Sequence, residues 1–137
     1  MEDILNASLA GGVVIGASSG LFTNPAASLT AGFLAGIVST FGFIYLGKYL
    51  NRKIGLLDTC GVHNLHGIPG FLGGILSSIA IAAYQSSEMD ASLGVNLPFF
   101  SSPYKHRTLN TQAWYQILGT ISSLGIGLLA GAFAGYI

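Results

Sequence analysis

The sequence predicts an all-α integral membrane fold with four transmembrane helices, and three observations predict it. Half of the 137 residues (51%) are hydrophobic and only 7% are charged, where a soluble domain is about a quarter charged. Mean hydropathy is +0.65. The ten charges are also segregated, at Glu2, Asp3, Lys48, Arg52, Lys53, Asp58, Glu88, Asp90, Lys105 and Arg107, and long uncharged stretches run between them.

A bilayer-spanning helix needs about 20 mostly apolar residues. Four segments meet this, at about 4–22, 26–47, 60–84 and 112–137, within a single membrane domain over 1–137. The sequence Thr23-Asn24-Pro25 reads as a tight turn, because proline suits the first turn of a helix. Residues 48–58 read as a short polar loop, and Asp58 or Thr59 as a cap for the third helix, where an acidic group suits the helix dipole. Residues 85–111 read as the longest connection. Its apolar Leu97-Pro98-Phe99-Phe100 run is able to pack on the membrane surface.

Lys48, Arg52 and Lys53 make 48–53 the cytoplasmic connection by the positive-inside rule. Both ends of the segment then lie in the cytoplasm. No basic n-region marks a cleavable leader. Asn6-Ala-Ser8 matches a glycosylation sequon, but it opens a span on the cytoplasmic side and is discounted. Small residues recur four apart at Gly32/Gly36, Gly70/Gly74 and Gly127/Gly131/Gly135. Such rows let helix backbones approach closely in lipid, so in the full-length protein a leucine at Gly131 is expected to weaken packing of the last helix.

Zero formal net charge gives no electrostatic reason for nucleic-acid binding. The lone Cys60 excludes an internal disulfide and a thiolate cluster, and reads as a small residue packed at a helix start. No nucleophile–base pair, phosphate loop or paired carboxylate supports an enzyme. No cofactor and no metal are expected.

The third span carries the chemistry. Its first half reads Asp58-Thr-Cys-Gly-Val-His-Asn-Leu-His-Gly-Ile-Pro-Gly70, which places two imidazoles and an amide inside a hydrophobic segment. Polar groups at membrane depth are costly and face a bundle interior or a water pathway. His63 and His66 are three apart and share a helix face. Pro69 leaves a carbonyl near Leu65 without its donor and is expected to kink the helix. The residues alone leave three roles open: helix packing, a metal site, or conduction past an imidazole that donates or accepts near pH 7.

That motif closely resembles the signature of Rh glycoproteins, within the ammonium transporter/Rh superfamily. Asn6-Ala-Ser-Leu-Ala-Gly-Gly-Val13 and residues 29–45 resemble the two family helices that precede it. The resemblance implies trimers, homo- or hetero-oligomeric, of eleven- or twelve-span protomers in the plasma membrane, in contact with the lipid bilayer. Each protomer has a narrow apolar pore with two histidines midway. Ammonium is recruited and deprotonated, and ammonia passes the histidines; some members are discussed as carbon dioxide channels, and others as non-transporting membrane partners.

By the same resemblance, the four spans match the last four core helices of the ammonium transporter fold. His66 aligns with the second pore histidine, Val62 with an apolar pore-wall position, and Asp58 with a structural acidic residue at the helix start. His63 and Asn64 are left between pore and packing. The first pore histidine, the recruitment site and the phenylalanine gate belong to earlier helices. The chain is therefore expected to be part of a longer channel and not to conduct alone.

Overall fold

The computed structural model describes residues 2–22, 24–83 and 109–136. These form α1 (Glu2–Gly16), α2 (Pro25–Phe41), α3 (Gly47–Ile54), α4 (Ile68–Ala83) and α5 (Leu109–Tyr136). Two wide π turns join them, Gly42–Leu46 between α2 and α3 and His63–Gly67 before α4. The chain divides into two compact units, 1–76 and 77–137.

Three continuous helices are long and apolar enough to cross a membrane: Pro25–Ile54, His63–Ala83 and Asn110–Tyr136. The first predicted span is shorter than its sequence suggested. α1 stops at Gly16 and residues 17–21 turn. The cause is local, because Gly16, Ser18, Ser19 and Gly20 are poor helix formers clustered together. Ser18 Oγ donates to Val14 O (3.0 Å) and Ser18 N to Ile15 O (2.9 Å), which closes the turn.

The second helix starts as its sequence implied. Asn24 caps it by accepting from Ala26 N (2.9 Å), and Pro25 opens its first turn. It then runs past the expected loop. Residues 48–54 are helical, so the polar loop over 48–58 shrinks to 55–58 and the turn beyond it. Lys48, Leu50, Arg52 and Lys53 favour helix, and the basic residues of its last turn complement the dipole there. Gly55, at φ 69°, supplies the left-handed residue that ends it and donates to Asn51 O (3.0 Å).

In the first unit, Val14, Ala31 and Ala35 form a buried cluster with Ile15, Phe22, Leu72 and Leu76 against it. Backbones are close here. A Cβ on Gly11 would lie 3.3 Å from Gly32 O, and one on Gly36 would lie 3.4 Å from Ala7 O. A Cβ on Gly73 would lie 2.8 Å from Val14 O. In the second unit, Ser78 Oγ donates to Ala113 O (2.8 Å), and Ala80, Ile81 and Ala113 are buried.

The row Gly127/Gly131/Gly135 behaves differently, since among the described residues a Cβ on any of the three meets nothing within 4 Å. Among the described residues of its own unit, Gly131 makes no close contact. The expected packing of Leu97–Phe100, and the rest of the connection up to residue 108, lie outside the described residues.

Candidate functional site

The approach to α4 is built by four residues with different jobs. After Gly55–Leu57 the chain turns, and Asp58 closes the turn. Its Oδ1 accepts from Val62 N (2.9 Å) and its Oδ2 from His63 N (2.8 Å). Two N–H groups left free at a helix start are satisfied by one carboxylate. Gly61, at φ 67°, makes the reversal. It also lies under Phe43, whose ring would overlap any Cβ there. Cys60 sits on this turn and is exposed, not packed as its size and position in the sequence suggested.

The helix then opens into the π turn His63–Gly67, in which Ile68 N donates to His63 O. The expected disturbance near Pro69 therefore takes the form of a widened turn. In this register the N–H that Pro69 lacks would have served Asn64 O. That carbonyl accepts instead from Ser39 Oγ on α2 at 3.0 Å, a contact buried on both sides. The Asn64 side chain, 3% exposed, rests on the other π turn. A Cβ at Gly42 would overlap Asn64 Oδ1, and one at Gly47 would lie 3.4 Å from Asn64 Nδ2. Two π turns from neighbouring segments thus meet around one amide, and such turns recur at functional sites.

The five residues singled out from the sequence separate into two groups. Asp58, His63 and Asn64 line a cavity of about 570 Å³, together with Asp3, Asn6 and Lys48 among others. His63 is half-buried, with Nδ1 3.4 Å from Asn64 Oδ1. Val62 and His66 lie elsewhere, on the exposed face of the same helix. Val62 is 53% exposed there, and Phe71 further along is 42% exposed. That face is apolar with one imidazole on it. Among the described residues, no group of three or more His, Cys, Asp or Glu gathers as a metal-ligand set.

Sequence reasoning missed Ser39, Gly42 and Phe43. Their partners Asn64 and Gly61 are some 20 residues away in the chain, and no local pattern announces them.

Three long apolar helices, one carrying a face of this kind, define a multi-span helical membrane protein. The chain belongs to the ammonium transporter family, since the model described as Ammonium Transporter Family matches residues 1–137. It is similar to the ammonium transporter Rh type C of Xenopus tropicalis, with 42% identity over 138 residues. It is also similar to the ammonium transporter Rh type C of Oncorhynchus mykiss, with 39% identity over 137 residues. Both alignments cover all of this chain but only 29% and 28% of the respective relative, so the chain spans less than a third of their length. No solved structure matches the chain.

Proposed function

We propose that this chain forms one wall of a transmembrane pore for ammonia/ammonium, with Val62 and His66 on the conducting face. The observation that carries the reading is the exposed face of the His63–Ala83 helix, where a single imidazole stands among apolar groups. A neutral molecule as small as ammonia crosses such a surface at little cost, whereas an ion loses its hydration there. The imidazole is the one group on that face able both to give and to take a hydrogen bond. Asp58 holds the helix start and His63 stands at the cavity beside it.

In this reading α1 and the turn after it make a fourth span packed along α2, and the basic end of α3 faces the cytoplasm of a plasma-membrane protein. Further helices close the open side of the pore, in a protomer of the relatives' length that assembles as a trimer. A wall without its opposite does not conduct. Vesicles reconstituted with this chain alone are expected to take up methylammonium at the rate of empty lipid. Uptake well above that rate, abolished by His66→Ala, overturns the proposal that the wall is incomplete.

A further inference from the structure

We propose that Ser39 is a positioning residue for His66: its hydroxyl replaces the donor that Pro69 lacks and thereby fixes residues 63–67 in the π register. The functional meaning of this rests on the pore reading of His66; the register itself does not.

The argument begins with the backbone. In an α-helical register Ile68 N would bond to Asn64 O, and Pro69, having no N–H, would orphan Leu65 O. In the observed register Ile68 N bonds to His63 O. Asn64 O then receives no bond from Ile68 N, and Pro69 has no N–H to offer it. The two registers therefore differ at Asn64 O, which Ile68 N serves in the α register and no backbone donor serves in the observed one, and Ser39 Oγ is aimed at that oxygen. It sits 3.0 Å from Asn64 O, with Ser39 fully buried and Asn64 nearly so. A buried carbonyl without a donor is unfavourable, so the hydroxyl weights the choice towards the π turn.

A second contact points the same way. The Asn64 side chain occupies the space over Gly42 that any larger residue would fill. Both the backbone oxygen and the side chain of one residue are thus held by the Pro25–Ile54 helix. An extra residue in the turn also rotates everything on its N-terminal side relative to α4. The direction in which His66 and Val62 face relative to Phe71 is set by this register.

The test is a cycle of Ser39→Ala, Pro69→Ala and the double variant, made in the full chain in lipid vesicles. The Asn64 carbonyl carries ¹³C for isotope-edited infrared, and the His66 ring carries ¹⁵N. In Ser39→Ala the Asn64 band or the His66 ring resonance is expected to move away from wild type. Exchange of the Ile68 amide is expected to change about fivefold or more, the scale set by one hydrogen bond. Pro69→Ala returns a backbone donor to the turn and makes the hydroxyl redundant, so adding Ser39→Ala to it is expected to change none of these signals. That redundancy separates a donor from a mere space-filler, because a packing role for Ser39 is not repaired at residue 69.

Signals unchanged in Ser39→Ala overturn the proposal. So does a Ser39→Ala effect equally large with and without Pro69→Ala. Should Ser39→Ala fail to fold, a folded double variant supports the donor role and an unfolded one refutes it. A pore reading that fails leaves this cycle intact, since none of its signals depends on transport.

Discussion

Gly32 and Gly36 on α2 lie against Ala7 and Gly11 of α1, close enough that an added Cβ on Gly36 meets Ala7 O at 3.4 Å and one on Gly11 meets Gly32 O at 3.3 Å. Gly127, Gly131 and Gly135 on α5 have the same spacing, and a Cβ added to any of them meets nothing within 4 Å among the described residues. The first row is partly buried against α1, and the second is exposed among the described residues. A row of small residues therefore states that a backbone can come close without naming which backbone does. α2 finds its neighbour within the described residues, whereas the open row of α5 suits one that a longer protein supplies.

Substitutions can break this contrast in decreasing order of effect. Gly36→Leu drives a side chain into α1, and we expect the chain to lose about 1–3 kcal/mol. A chemical-denaturation midpoint in detergent micelles checks this, and an unchanged midpoint would show that α1 and α2 do not pack as described. Asp58→Ala removes the acceptor for two N–H groups at the turn before α4, with an expected loss of about 0.5–2 kcal/mol. Asp58→Asn keeps one acceptor oxygen and should lose less. The ordering of the two variants by thermal unfolding is the readout.

On the open row the sign reverses. Gly131→Ala removes backbone freedom in a helix interior without meeting a neighbour, so it should stabilise this chain by about 0.5–1 kcal/mol. Gly131→Leu should leave its midpoint within about 0.5 kcal/mol. In a chain of the relatives' length, where α5 gains a neighbour under the proposed function, the same leucine should instead cost about 1–3 kcal/mol. A large loss already in the short chain would contradict the open environment of Gly131.

The same contrast shows what was legible in the sequence. Helix cores were, because a run such as Ile68–Ala83 has no other stable form at that hydropathy. Ends were less so. Residues 48–54 look like a loop by charge and are helix by propensity and cap, and Ser18, Ser19 and the flanking glycines stop α1 early. The local part of the site was legible too: Asp58 sits where an acidic residue can take up helix-start N–H groups, and its contacts span four and five residues. Ser39–Asn64 spans 25 residues and joins a hydroxyl to a backbone oxygen, a pairing that leaves no periodic trace. The π turns were equally hidden, since one extra residue in a turn does not alter composition. His66 and Val62 were named from a motif, and the structure adds that they lie on an exposed face apart from the polar cavity.

The most direct measurement is ammonia flux through a chimera in which residues 1–137 replace the matching segment of the Xenopus tropicalis ammonium transporter Rh type C. Stopped-flow on reconstituted vesicles should find ammonia flux above the lipid background, and His66→Ala in the folded chimera should change its conductance or its selectivity against methylammonium. A His66→Ala chimera with the flux and selectivity of its parent would contradict the assignment of His66 to the pore wall.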